Sequence, residues 1–446
     1  MKKEYLIVIA AVVIVLLVGV AFLSFMRQPA PTPTPKEEEK PKLIIYHWWT
    51  AGGEKEAIDA VISLYKEKYP EIEIVENPVP GGAGVTMKAV MKALMVAGSP
   101  PDTFQVHAGA ELKEYVDSGL LGDVTDLWKK NGYDKVFPEG MKKMVTINGK
   151  VYSIPINIHR SNWLWYNKKI FDELGLEPPK TLDELLEVCR KIKEAGYWPI
   201  ALGSRNKWPV THMFENLLLA VGGPETYVKF FIGQITADDP KVKATLEYMK
   251  KLMPYIYPYH ADLTWDQACG LLVQKKAAMT IMGDWALGYF IANGLKPEVD
   301  FGAVPVPGTE DYFVLLSDSF AIPKDAKHLD AAEKWVVLVG TKEAQEKFNL
   351  IKGSIAARTD VSPDIYPDPI RKQCAKDLVT KIIIPSATHG GISPDSFMSN
   401  LHNILDGFLY TSDVDATVKQ INQAIKLTNL ADFWKGCTVE DFIGRP

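Results

Sequence analysis

Between Leu43 and Val106 the chain alternates short apolar runs with helix-patterned stretches, and few folds accept that rhythm. Leu43-Ile44-Ile45-Tyr46 has the composition of a buried strand. From Glu54 to Tyr69, Ala57, Val61, Ile62, Leu64 and Tyr65 fall near one face of a helix. Pro70 stops that helix, and Ile72-Glu73-Ile74-Val75 alternates as the next strand. Met87 to Ala97 predicts a second helix, closed by Gly98 and the Pro100-Pro101 pair, before a third strand at Thr103-Phe104-Gln105-Val106. This βαβαβ order predicts an open α/β sheet, in which ligands bind beyond the carboxyl ends of the strands. Later elements are also marked. Thr181 stands as an N-cap before Leu182-Asp183-Glu184, Ala278 to Ile281 is strand-like, and 330–339 and 413–427 are helical by period.

The N-terminus is of a different kind. Lys2 and Lys3 precede an apolar run from Tyr5 to Met26 of roughly 20 residues, the length that spans a hydrocarbon core. No obvious small-x-small cleavage site follows, and no Cys that could carry a lipid. Residues 1–27 are therefore expected to be a retained anchor or a cleaved signal. Either way the positive-inside rule puts everything after Met26 outside the membrane. Residues 28–42 alternate Pro and Thr and then turn charged, the pattern of an extended stalk. At about 3 Å per residue it could hold the body ~40 Å from the bilayer.

With 446 residues, 47% of them hydrophobic, the chain can bury a sizeable core in more than one lobe. The net charge of −5 and the lack of a basic run or helix face argue against nucleic acid. Cys189, Cys269, Cys374 and Cys437 have no metal-ligand spacing, and no metal or cofactor is expected. In an exported chain they form one or two disulfides or stay as buried thiols.

Eight ordered segments are more specific: YHWWTAGG at Tyr46, PPDTFQVHAG at Pro100, SIPINIHRSNWLWYN at Ser153, LTWDQA at Leu263, MGDWALGY at Met282, LLSDSFAIPK at Leu315, IKGSIAAR at Ile351 and HGGISPDSFM at His389. With them, from about Lys42 to about Asn422, the chain resembles the extracellular solute-binding proteins of sugar ABC transporters, and most of all those of thermophiles that bind glucose or galactose. The resemblance implies a two-lobed periplasmic-binding-protein fold of the α/β class, with the ligand between lobes joined by three crossings. These are expected near Ile156–Ile158, Leu315–Ser317 and Ala356–Arg358. One lobe then combines 42–157 with 317–356, and the other 158–316 with 357–446. The implied partners are a small carbohydrate and the permease subunits of an importer. A monomer is expected, on the extracytoplasmic face of the membrane.

A pyranose has apolar C–H faces and a rim of hydroxyls, so Trp rings suit its faces and charged or amide groups its rim. Adjacent residues of an extended stretch point to opposite sides. Of Trp48 and Trp49, one is expected in the core and the other, assigned as Trp49, at the ligand. Gln105 and His107, two apart at a strand's carboxyl end, should share a side. By the family pattern the further ligand residues are Glu54, His159, Trp265, Trp285, Asp318, Lys352 and His389, although Glu54 stands one residue from the family's acidic position. Asp284 is expected to line the site or to cap the next helix. Lys352 is expected to pair with Asp318, or to share a hydroxyl with it.

The favoured sugar is a monosaccharide, glucose or galactose, with a disaccharide such as trehalose or maltose as the alternative. A peptide or polyamine receptor should offer a charged cleft, which the Trp-rich set does not match. A glycoside hydrolase is the remote alternative. It would need two carboxylates flanking one bond, and only Asp318 and, less well placed, Glu54 stand as candidates. The expectation is a receptor and not an enzyme.

Overall fold

The computed structural model describes residues 41–444. The apolar run 5–26 and nearly all of the stalk lie outside the described residues. Among those described, no helix is long and apolar enough to cross a membrane.

The first five elements follow the predicted order. Strand Lys42–His47 buries Leu43 and Ile45 and leads into helix Gly53–Lys68. That helix buries Ala57, Ile58, Val61, Ile62, Leu64 and Tyr65, a single apolar stripe at helical spacing. Strand Glu73–Pro78 returns parallel to Lys42–His47, helix Val85–Val96 follows, and strand Thr103–His107 is buried at all five positions. A parallel strand covered on both faces is expected to be buried throughout.

Local pattern does not explain the rest of this sheet. Its strand order is Glu73–Pro78, Lys42–His47, Thr103–His107, Asp318–Ala321, Ser153–Pro155. Asp318–Ala321 arrives from far along the chain and lies antiparallel to Thr103–His107, with Asp318 opposite His107 and Phe320 opposite Gln105. A second, four-stranded sheet has the order Phe301–Pro305, Trp163–Asn167, Ala277–Ile281, Trp198–Ile200. A three-stranded sheet joins Ile382–Pro385, Tyr312–Leu316 and His159–Arg160. The chain therefore leaves the five-stranded sheet after Pro155 and pairs in the three-stranded one at His159. It returns between Leu316 and Asp318, with only Ser317 between the two strands. A bridge between Ile158 and Ile355, with N–H···O distances of 2.8 and 3.1 Å, brings a third segment to the same place.

One asparagine ties two of these segments together. Asn157 Nδ2 donates to Asp318 Oδ2 at 2.8 Å, Asn157 Oδ1 accepts from the Asp318 N–H at 2.8 Å, and Ser317 Oγ donates to the Asn157 carbonyl at 2.7 Å. Beside them Arg160 is fully buried. It donates to Asn162, the Tyr312 carbonyl and Asp377, and its guanidinium stacks 4.3 Å from the Trp163 ring centroid.

All four cysteines are free thiols, and Cys189, Cys269 and Cys374 are buried. Of the two arrangements left open by the sequence, the structure takes the thiols. Burial pushes the Cys189 thiol up to about 12, so it stays protonated.

Against the five-stranded sheet the core gathers on Trp335, whose ring lies 5.3 Å from Phe320 and 5.6 Å from Tyr65. A second apolar cluster includes Leu164, Met279 and Val314 of the other sheets with Leu217, Phe230 and Leu405. Trp335→Ala should lower unfolding stability by about 3–5 kcal/mol, measured by denaturant titration. Trp335→Phe should cost clearly less, because the Trp335 indole N–H has no hydrogen-bond partner among the described residues to lose.

Candidate ligand-binding site

A small, tightly lined cavity opens where the predicted strands end. Trp48 and Trp49 follow strand Lys42–His47, His107 ends Thr103–His107, and Asp284-Trp285 follow Ala277–Ile281. All ten residues expected from the sequence except Gln105 line this cavity. Gln105 acts one step back. Its side chain accepts from the Trp48 N–H at 3.0 Å and donates to Asp318 Oδ1 at 2.9 Å.

Aromatic rings form much of the wall. Trp285 lies 5.4 Å from His159 and 5.0 Å from His389, and Lys352 Nζ sits 5.9 Å from its ring centroid. Trp48 lies 4.7 Å from His107. Both tryptophans of the Trp48-Trp49 pair reach the cavity, so the expected division into one core ring and one ligand ring is too sharp. Trp49 does both, packing 4.7 Å from Phe348 and 5.9 Å from Phe320. Gly82 has φ +62°, and a Cβ there would stand 3.0 Å from both Trp208 and Trp265, so glycine lets this loop lie against the two indoles.

Trp208 is a lining residue that the sequence reading missed. It starts the helix Trp208–Phe231 with Pro209 beside it, soon after strand Trp198–Ile200. The rule that ligands meet the segments after strands could have found it.

The polar rim is built on carboxylates. Asp318 is 2% exposed and also faces His159 Nε2 at 3.3 Å and His107 Nε2 at 3.8 Å. Burial alone would raise its pKa, but the His159 contact and the charges of His159, His107 and Lys352 outweigh burial and hold it well below the usual carboxylate range. A carboxylate held ionised cannot serve as the proton donor that glycoside hydrolysis requires.

His159 bridges Asp284 and Asp318. Burial would depress its pKa, yet the Asp284 charge and bond raise it overall against the opposing charge of Lys352. Asp284 stands at the N-cap position of helix Trp285–Ala292 but makes no capping bond. Its oxygens are taken by His159 and by the Arg160 N–H at 2.9 Å, so the expected cap is a cross-chain support instead. Lys352 does not pair with Asp318, as expected from the sequence, but with Glu54 at 2.7 Å. Glu54 sits in the first turn of helix Gly53–Lys68, where burial pushes its pKa up and Lys352 partly offsets this.

His212, Glu215 and His389 bring ligating atoms within 4.8 Å of one another. Glu215 already accepts from the Ala387 and Thr388 N–H groups and from two hydroxyls, so its carboxylate is committed to the protein.

The family model described as bacterial extracellular solute-binding protein matches residues 51–346. The chain belongs to that family. It is a family of receptors and not of enzymes. An ABC transporter extracellular-binding protein of Pyrococcus horikoshii, itself uncharacterized, is 45% identical over 96% of this chain and 97% of its own length. A probable sugar-binding periplasmic protein of Mesorhizobium japonicum is 33% identical over 92% of this chain and 99% of its own. Among solved structures, the bacterial solute receptor AcbH superposes with a TM-score of 0.77 at 20% identity, covering 87% of this chain and 100% of that one. That likeness fixes the receptor's two-lobed fold.

Beside the receptor's cavity, two segments far apart in sequence are fastened together. The Ala110 and Glu111 N–H groups donate to the Gly391 and Gly390 carbonyls at 3.3 and 2.9 Å. The approach is close enough that a Cβ on Gly109, at φ +107°, would lie 2.3 Å from the Gly391 oxygen. Glu114 accepts from the Asp395 and Ser396 N–H groups at 2.9 and 3.2 Å, at the positive end of helix Asp395–Thr411. Lys92 pairs with Asp395 at 2.8 Å, and buried Lys88 pairs with Glu111 at 2.9 Å. His107 and His389 project from these same segments.

The raised pKa of His159 has a measurable consequence. Relative to the ordinary value of 6.5, its folded value is higher, so its contribution to stability is complete below 6.5 and is lost as pH rises through the folded value. His389 and His402 have lowered values and act in the opposite sense. The informative quantity is therefore the stability gap between the wild type and His159→Gln. Denaturant unfolding from about pH 6 to about pH 9 should show that gap narrowing with rising pH.

Proposed function

We propose that this chain is the extracytoplasmic receptor of an ABC importer and that its ligand is a monosaccharide, glucose or galactose. The observation that carries this reading is the lining of the cavity, walled by Trp48, Trp49, Trp208, Trp265 and Trp285 and rimmed by Asp318, Lys352, Glu54 and His389. The rings offer apolar faces to C–H surface, and the rim offers donors and acceptors to hydroxyls. Charges at the rim are already paired, Lys352 with Glu54 and Asp318 with His159, which favours a neutral polyol over a charged solute. The name of the Mesorhizobium japonicum relative, a probable sugar-binding periplasmic protein, supports a sugar. The name of the Pyrococcus horikoshii relative supports an ABC transporter as the receiving machine.

In this reading residues 42–157 with 317–356 form one lobe and 158–316 with 357–446 the other. Trp49, Asp318 and Lys352 meet the sugar from the first, and Trp265, Trp285 and His389 from the second. Closure around the sugar is the signal read by the permease, because ligand favours the closed state through contacts absent when the lobes stand apart. The receptor works as a monomer, tethered through residues 5–26.

Titration calorimetry against glucose, galactose, maltose and trehalose tests the reading. Glucose or galactose should bind at micromolar Kd or tighter, about −8 kcal/mol or more favourable. Heat from the disaccharides alone would contradict it. Trp285→Ala should weaken glucose and galactose by similar factors, since every pyranose has a C–H face. Asp318→Asn should weaken the two unequally, by up to about ten- to a hundredfold, since its partners are particular hydroxyls.

A further inference from the structure

We propose that Glu215 and Ser386, neither of which lines the cavity, set the hydrogen-bonding sense of His389, so that His389 Nε2 acts as a bare acceptor for one hydroxyl of the bound sugar. The proposal deepens the sugar-receptor reading and rests on it for the identity of the ligand alone.

The chain of bonds starts at a carboxylate. Glu215 is fully buried on helix Trp208–Phe231. Its Oε2 accepts from the Ala387 N–H at 2.9 Å, the Thr388 N–H at 3.0 Å and the Tyr227 hydroxyl at 3.1 Å. Its Oε1 accepts from Ser386 Oγ at 2.9 Å. The two N–H groups in that set can only donate and both hydroxyls are able to, which suits an acceptor-only carboxylate. A serine hydroxyl has a single proton, and Ser386 gives it to Glu215.

Ser386 Oγ also lies 2.9 Å from His389 Nδ1. With its proton spent on Glu215, Ser386 can only accept there, so Nδ1 must carry the imidazole proton. The lone pair of the neutral ring is then left on Nε2. That atom is buried, has no hydrogen-bond partner among the described residues, and belongs to a side chain that lines the cavity. Around the ring stand His212 and Glu215 from helix Trp208–Phe231, His107 and His159 from two strands, and Lys88 from helix Val85–Val96. Burial first, and then the charges of His212, His107, Lys88 and His159, push the His389 pKa well below its ordinary value and keep the imidazole neutral.

A neutral ring with its proton fixed on the far nitrogen accepts and cannot donate at the cavity. It accepts a hydrogen bond from a sugar hydroxyl, and it discriminates against a sugar with an ether or no oxygen at that position. Glu215 and Ser386 are positioning residues in this scheme, acting only through His389.

Nitrogen-15 NMR of the histidine rings in the ligand-free protein reads the tautomer directly, whatever the ligand proves to be. The expected result is a His389 protonated at Nδ1 and bare at Nε2. A proton on Nε2 in the wild type overturns the proposal. Glu215→Gln is the sharper variant. An amide nitrogen facing Ser386 would donate to Oγ, turn the hydroxyl proton toward His389 Nδ1, and move the ring proton to Nε2. Ser386→Ala should lower affinity for the intact sugar by about tenfold. It should leave unchanged the affinity for the one deoxy sugar that lacks the hydroxyl facing His389, and Ser386→Thr should restore the wild-type value. Equal losses across a complete set of singly deoxygenated glucoses and galactoses would assign Ser386 a merely structural part and overturn the scheme. If no sugar binds the wild type, the functional reading fails, while the NMR result still decides the tautomer.

Discussion

Asp318 is an ionised carboxylate, 2% exposed, at the point where three parts of the molecule meet. An isolated buried charge is too costly to persist, so the surroundings must supply partners. Gln105 comes from the parallel core of the five-stranded sheet, Asn157 from the segment that leaves that sheet, and His159 from the first strand beyond it. Each partner is itself held: Gln105 by the Trp48 N–H, Asn157 by the Asp318 N–H, and His159 by Asp284. Removing the carboxylate would therefore loosen the register of two sheets as well as one wall of the cavity. Such a residue serves structure and recognition through the same bonds.

A similar economy governs the opposite wall. The loop carrying His389 is fixed from behind by Glu215, which gathers the Ala387 and Thr388 N–H groups, and from the side by the Gly390 and Gly391 carbonyls receiving Glu111 and Ala110. The paired charges of Lys88, Lys92, Glu111, Glu114 and Asp395 lie just outside. A ligand that displaced His389 or His107 would disturb contacts joining segments far apart in the chain.

Much of this was legible in the sequence, and the boundary of legibility has a physical cause. The βαβαβ order was readable because periodicity is local: the apolar stripe of Ala57, Val61, Ile62 and Tyr65 needs no knowledge of what it packs against. The N-cap at Thr181 was readable for the same reason, and it does accept from the Glu184 N–H. The insertion of Asp318–Ala321 between Thr103–His107 and Ser153–Pro155 was not readable from pattern, since it joins strands far apart in the sequence. Nor was pairing at the rim. The sequence reading put Lys352 beside Asp318, and only the fold puts it on Glu54. Asp284 had the local signature of a cap, but a support 124 residues away claimed its oxygens. Ser386 and Glu215 carried no local mark, because their roles arise from the company into which the fold brings them.

The central claim is that a sugar held from two sides draws those sides together. Small-angle X-ray scattering of the receptor with and without saturating glucose or galactose tests it most directly, with occupancy confirmed in the same sample. The account predicts a smaller radius of gyration in the loaded state. A scattering profile that stays unchanged at full occupancy would contradict it.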